Sequence, residues 1–258
     1  MSRLSFFARR YVSICTTVLG CLLLGPLAQA QELTVSAAAS LADAFREIGR
    51  AFEATRPGAK LVFNFAASGP LLQQIAQGAP VDVFATADQE TMDRAAARSL
   101  IASDSRAVFA ANRVVLVVPA GASATPTSLR DLRNAAYKRV AVGNPASVPA
   151  GRYAREAIDA AGLSEALKDR LILADSVRQV LVYVGRAEVD AGFVYRTDAL
   201  VDRERVRVAL ELPTRTPVTY PVAQVAASAR PALARAFIAF LATPLAQAVL
   251  ARHGFAKP

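Results

Sequence analysis

Side chains able to do chemistry are sparse in this 258-residue chain, and four candidate positions share one local setting. Ser40, Ser68, Ala150 and Val177 each stand where a strand or loop feeds a predicted helix. Their contexts are Ala-Ala-Ala-Ser40-Leu, Phe65-Ala-Ala-Ser68-Gly-Pro, Val148-Pro-Ala150-Gly-Arg and Ala174-Asp-Ser-Val177-Arg-Gln. The start of a helix leaves backbone N–H groups without intrahelical partners and carries a partial positive charge. Small neighbours let an anion approach those donors, and a serine adds a hydroxyl, so such a junction can hold an anion without a formal cation. Each junction also has a plainer explanation. Ser40-x-x-Asp43 fits a helix-capping pattern, and Gly69-Pro70 after Ser68 is an ordinary opening turn. A fifth candidate, Tyr195, follows Gly192-Phe-Val at the predicted C-terminal end of a strand, where α/β sheets place ligands. The plainer role there is packing, with the hydroxyl in water.

What is missing narrows the chemistry further. Both cysteines, Cys15 and Cys21, fall within the first thirty residues, and His253 is the single histidine. Once that segment is removed, disulfides, thiolate metal sites and cysteine nucleophiles are excluded. A zinc site or a histidine-based triad would rest on His253 alone. Hydrolase chemistry is therefore not expected. A secreted serine hydrolase using Ser40 or Ser68 is the remaining catalytic alternative, and it lacks a Gly-x-Ser-x-Gly elbow.

The formal net charge is +9, three units of which come from Arg3, Arg9 and Arg10. The other arginines are scattered over helix faces and loops, which gives a generally basic surface. There is no basic stripe with interleaved aromatics, so nucleic acid is not an expected partner.

These groups must be positioned by elements that the hydrophobic pattern reveals. Residues 1–30 read as a secretory signal peptide: the three arginines, an apolar run from Tyr11 to Leu24, Pro26, and a small-x-small site at Ala28-Gln29-Ala30, with cleavage after Ala30. The run is short for a membrane span of about 20 residues. A lipoprotein reading of Val18-Leu19-Gly20-Cys21 is disfavoured because Leu22-Leu23-Leu24 continues the apolar core. The rest alternates β-rich runs with amphipathic helices. The first series holds strands at Leu33–Ser36, Leu61–Phe65 and Val81–Thr86 and helices at Leu41–Thr55, Leu71–Gln77 and Met92–Ala97. A second series begins at Val114–Pro119 and continues with a helix near Ser128–Ala136, strand Arg139–Val142, helix Arg152–Ala161 and strand Leu171–Leu173. Helix Val177–Gly185, strands Ala191–Tyr195 and Val206–Leu210, extended Tyr220–Val225 and one or two helices in Pro231–Leu250 complete it. This rhythm argues for an α/β fold with mainly parallel sheets flanked by helices.

Read in order, the chain resembles the periplasmic molybdate-binding proteins of ABC importers. The matching text is Val35-Ser-Ala-Ala-Ala-Ser40-Leu, Phe65-Ala-Ala-Ser68, Gly78-Ala-Pro-Val-Asp82-Val-Phe, Ala87-Asp88-Gln, Ala141-Val-Gly-Asn-Pro145, Val148-Pro-Ala-Gly151-x-Tyr153-Ala, Asp175-x-Val-Arg178, Val194-Tyr195-x-x-Asp198-Ala, Tyr220-Pro-Val-Ala223 and Gly254-Phe255. The matches span nearly all of residues 33–255. The resemblance implies a two-lobed periplasmic-binding-protein (Venus flytrap) architecture, with lobe I from residues 31–112 and 222–258 and lobe II from 113–221. The hinge is expected near Asn112–Val114 and Tyr220–Val222.

The same resemblance implies that the oxyanion is held by the hydroxyls of Ser40 and Ser68, the backbone N–H groups of Ala150 and Val177, and the hydroxyl of Tyr195. Molybdenum would enter only as the bound oxyanion, with no direct protein–metal ligands. Two departures stand out: Ala67 occupies a position where relatives often carry a second hydroxyl, and Asn144-Pro-Ala-Ser replaces a more acidic loop. Neither touches an expected contact. Arg178 is expected in an inter-lobe or supporting ion pair and not on the anion. The implied protein is a periplasmic monomer that captures molybdate, and tungstate of nearly the same size, and passes it to the membrane permease of an ABC importer. A carrier of sulfate or another solute such as an iron–anion complex on the same fold is the alternative, and a purely structural exported domain is a third.

Overall fold

The computed structural model describes residues 31–258. The expected signal peptide, residues 1–30, lies outside the described residues. The elements, in order, are β1 (Gln31–Ala38), α1 (Ala42–Thr55), β2 (Ala59–Ala66), α2 (Ser68–Ala76), β3 (Val83–Ala85), α3 (Gln89–Ala97), β4 (Ala107–Asn112) and β5 (Val114–Pro119). They continue with β6 (Val140–Gly143), α4 (Pro149–Ala160), α5 (Ser164–Leu167), β7 (Leu171–Ala174), α6 (Val177–Gly185), β8 (Ala191–Tyr195), α7 (Arg196–Val201), β9 (Val206–Glu211), β10 (Val218–Gln224), α8 (Pro231–Leu241) and α9 (Pro244–Arg252). The helices form where apolar residues recur at helical spacing: Phe45, Ile48 and Phe52 bury one face of α1, and Val177, Val180, Leu181 and Val184 bury one face of α6. The helix expected near Ser128–Ala136 is only a short 3-10 turn, Leu129–Arg133, with Leu132 as its one buried residue.

Two five-stranded sheets result, in the orders β2-β1-β3-β10-β4 and β7-β6-β8-β5-β9. Both are mixed, which refines the expectation of mainly parallel sheets. In the first, β1 pairs in parallel with β2 and β3, whereas β10 runs antiparallel to β3 and β4. In the second, β6 pairs in parallel with β7 and β8, whereas β5 runs antiparallel to β8 and β9. Only β10 and β5 are therefore reversed, and each is the strand by which the chain enters a sheet from the other one. Every other strand directs its C-terminal end toward the seam between the sheets. A strand arriving across that seam must start there and run away, so reversal follows from the crossing. β4 was not foreseen as a strand; it passes into β5 through Arg113 alone.

The return crossing lies earlier than expected. Val218 pairs with Asn112 and Tyr220 with Ala110, so β10 belongs wholly to the first sheet. Residues 218–221, assigned from sequence to lobe II, thus sit in the first lobe, and the chain crosses in residues 212–217 and not at Tyr220–Val222. Tyr220 is drawn in by packing: its ring meets Phe109, Tyr195 and Phe255 edge-on, and it is fully buried.

The lobes touch. Gly69 N–H donates to the Ser147 carbonyl at 3.0 Å, and a Cβ on Gly69 would stand 2.6 Å from that oxygen. Arg152 of α4 reaches Asp88 at the start of α3 and Thr91 Oγ1 at 2.8 Å, with Glu90 at 3.2 Å. Arg178 of α6 bridges Asp43 of α1 at 2.8 Å and Asp198 of α7 at 2.7 Å. Its N–H bonds are not well aligned on those oxygens, so these contacts act as ion pairs more than as directed hydrogen bonds. Burial alone would lower the Arg178 pKa, but Asp198 and then Asp43 outweigh it and raise it. Asp198 is fully buried, and desolvation raises its pKa above 3.8 despite Arg178 and the Tyr195 N–H.

Gly151, in the first turn of α4, lies so close to β6 that a Cβ would stand 1.9 Å from the Gly143 carbonyl oxygen. Both partners are backbone, so Gly151→Ala should destabilise the protein by about 1–3 kcal/mol in urea denaturation. Replacing Arg178 with Met should cost about 3–5 kcal/mol at neutral pH, because Asp198 is left buried without a countercharge. The folded state holds the Asp198 proton more tightly than the unfolded chain does, so acidification through the window above 3.8 favours folding. The loss should therefore shrink as pH falls toward that window; urea midpoints of Arg178→Met that show an unchanged deficit would contradict this account.

Candidate oxyanion-binding site

Four chain turns converge on one small cavity at the seam. A 3-10 turn, Ala39–Leu41, ends β1 and carries Ser40; Ser68 is the first residue of α2; Ala150 is the second of α4; Val177 is the first of α6. Tyr195 ends β8. All five line the same small cavity, whose remaining walls are Ala38, Ala39, Ala67, Ala87, Val148 and Pro149. The walls are small and apolar, and no lining residue carries a formal charge. Each of the five is at most 4 % exposed.

The capping explanations for the serines do not hold. The N-cap of α1 is Leu41, with no side-chain cap, and that of α2 is Ala67, again uncapped. The Ser40 hydroxyl instead meets the Tyr220 hydroxyl at 3.0 Å, and Ser68 Oγ accepts the Ala87 N–H at 3.2 Å. By contrast, Ser176 does cap α6, accepting the Gln179 N–H, which leaves the Val177 N–H at the helix start. α4 begins with Pro149, which has no N–H to offer, so Ala150 supplies the first donor of that helix. Gly143 and Gly151 let this helix start press against the end of β6 and point into the seam.

Tyr195 is anchored at both ends. Its N–H donates to Asp198 Oδ2 at 3.1 Å, and its hydroxyl donates to the Ala87 carbonyl at 3.3 Å across the seam. The hydroxyl is therefore not in water. Burial pushes the phenols of Tyr195 and Tyr220 well above the usual tyrosine range, so both remain O–H donors at any physiological pH.

The nearest arginines flank the cavity but do not line it. Each is held between two carboxylates, Arg152 by Asp88 and Glu90 and Arg178 by Asp43 and Asp198. Neither guanidinium is free to serve an anion. Sequence reasoning placed Arg178 in such a pair; it missed Arg152, Asn112 and the part played by Tyr220. The matching text includes Asp88 and Tyr220, but partners far apart in sequence carry no local signal. Among the described residues no group of three His, Cys, Asp or Glu side chains could hold a metal ion.

A set of N–H and O–H donors at converging helix starts suits a fully deprotonated anion. Residues 33–256 match the model of the family described as bacterial extracellular solute-binding protein. A molybdate-binding protein of Haemophilus influenzae is 34% identical, covering 88% of this chain and 91% of its own. Its Escherichia coli namesake is 36% identical over 89% and 90%. A solved Clostridium difficile structure, described as the substrate-binding domain of a putative molybdenum ABC transporter, is 37% identical with a TM-score of 0.67 and covers 88% of this chain and 99% of that one. From its seam, its donors and these relatives together, the chain belongs to the bacterial extracellular solute-binding proteins.

Proposed function

We propose that this protein captures molybdate, and with it tungstate, in the seam between its lobes and delivers it to the membrane permease of an ABC importer. The observation that carries the reading is the convergence of Ser40, Ser68, Ala150, Val177 and Tyr195 on one uncharged cavity. At neutral pH molybdate has no proton, so all its oxygens accept and a shell made only of donors satisfies them. Hydrogenphosphate also carries an O–H that needs an acceptor. Sulfate has the right protonation but is smaller, and it would leave some donors stretched; an unsatisfied buried donor costs about 1–3 kcal/mol.

Neutral dipoles also suit release, since an emptied cavity lined by a bare arginine would be costly to desolvate. Ser40 and Ser68 come from one lobe and Ala150, Val177 and Tyr195 from the other, so a shared anion draws the lobes together and shifts the population toward the closed form. Arg113 and residues 212–217 are the proposed hinge. Tyr195 must then turn its one hydrogen from the Ala87 carbonyl to the anion, a small rotation because the hydroxyl already borders the cavity. The proposed location is the periplasm, after removal of residues 1–30, as a monomer, with no catalytic role and no cofactor.

Titration calorimetry with molybdate, tungstate, sulfate and phosphate tests the assignment. Molybdate and tungstate should bind comparably, sulfate more weakly and phosphate least. Ser40→Ala and Ser68→Ala should each weaken molybdate by about 1.5–3 kcal/mol, as for hydrogen bonds to a charged group. Sulfate binding as tight as molybdate would replace the proposed cargo. Two single variants that bind like the parent would remove the serines from the site.

A further inference from the structure

The cavity needs Ser40 to present its hydrogen, yet a hydroxyl can turn either way. The residues behind Ser40 decide the matter. Arg113 N–H donates to Asn112 Oδ1 at 2.9 Å, which fixes the orientation of that side-chain amide. Its nitrogen then faces Thr197 Oγ1 at 2.9 Å and the Tyr220 hydroxyl at 3.1 Å. An amide nitrogen donates and cannot accept, so Tyr220 receives a hydrogen from Asn112. Among the described residues the other partner within reach of the Tyr220 hydroxyl is Ser40 Oγ, at 3.0 Å. Tyr220 is fully buried, and leaving its own hydrogen unpaired would carry the full desolvation cost. That hydrogen must go to Ser40 Oγ, and the Ser40 hydrogen is left for the cavity.

We infer that Tyr220, held by Asn112, is a positioning residue that fixes Ser40 as a hydrogen-bond donor and so selects oxyanions that carry no proton. The inference rests on the proposed oxyanion role and adds a specificity device to it. The direction of donation runs Arg113 N–H, Asn112, Tyr220, Ser40, cavity, each group receiving from one side and giving to the other. Ser68 is polarised by a shorter route, because the Ala87 N–H already occupies one of its lone pairs. Neither Tyr220 nor Asn112 lines the cavity, so their effect is exerted through Ser40. With its hydrogen turned to the cavity and one lone pair taken by Tyr220, Ser40 is a poor acceptor for the O–H of a monoprotonated anion. The relay also starts at Arg113, where the chain crosses between the sheets, and it includes Thr197 of the second lobe.

A double-mutant cycle on the full mature chain tests this, with molybdate and phosphate affinities measured by calorimetry for the parent, Tyr220→Phe, Ser40→Ala and the double variant. Tyr220→Phe should weaken molybdate about 2- to 10-fold, the equivalent of one hydrogen bond of about 0.5–1.5 kcal/mol. In the Ser40→Ala background the same change should cost less than about twofold, because its route of action is gone. The molybdate-to-phosphate affinity ratio should fall in Tyr220→Phe, where Ser40 can turn a lone pair toward a protonated oxygen. An equal loss in both backgrounds, or an unchanged ratio, would overturn the positioning role. If Tyr220→Phe does not fold, Asn112→Leu removes the donor behind Tyr220 and should shift both readouts in the same direction; parental values for it would overturn the relay. A parent chain that binds tungstate or sulfate but not molybdate would overturn the cargo alone, and the same cycle run with that anion decides the inference. A parent that binds no oxyanion overturns both.

Discussion

The constraint on which this structure turns is that the first N–H groups of a helix have no carbonyl within the helix to receive them. Three helix starts and one 3-10 turn bring such donors to a single point, where methyl groups and short apolar side chains supply the rest of the wall. Small residues are required there because any longer side chain would occupy the space that the donors are aimed at. The runs of alanine beside Ser40 and Ser68 thus have the same cause as the glycines at Gly143 and Gly151: backbone must come close to backbone or to a guest.

Strand direction makes the convergence possible. All strands except β5 and β10 end at the seam, so the helices that follow β1, β2, β6 and β7 begin there. The two reversed strands are the cost of threading one chain twice between two sheets. They place Asn112, Arg113 and Tyr220 beside the seam, at the crossing from β4 and near the start of β10, where the Asn112–Tyr220–Ser40 hydrogen-bond chain lies. The proposed hinge at Arg113 consequently adjoins the hydrogen-bond chain that ends at Ser40.

Charge is kept near the site but not in it. Arg152 and Arg178 each cross from the second lobe to a carboxylate of the first, and each is shared with a further acid. Such pairs hold the lobes in register while the cavity between them keeps only neutral dipoles. The buried Asp198 is the exposed flank of this arrangement in energetic terms, since its raised pKa records a charge kept out of water and answered chiefly by one guanidinium.

Much of this was legible in the chain itself. The apolar spacing in α1 and α6, the β-rich runs and the small residues before each helix are local patterns, and local patterns fix local structure. They located Ser40, Ser68, Ala150, Val177 and Tyr195 at element junctions. They could not exclude a capping role for Ser40, because a capping hydroxyl and one turned elsewhere have the same sequence; only the fold supplied Tyr220, 180 positions away, as its partner. For the same reason β4 and the true start of β10 were missed: Val218 becomes a strand residue of the first sheet by pairing with Asn112, a contact between segments distant in sequence. The sequence by itself determined which segments are helices and strands and which junctions present small residues and hydroxyls. The tertiary structure alone decided which junctions meet, which arginine answers which carboxylate and which hydroxyls come within bonding distance of one another, because those depend on long-range pairings that no local periodicity encodes.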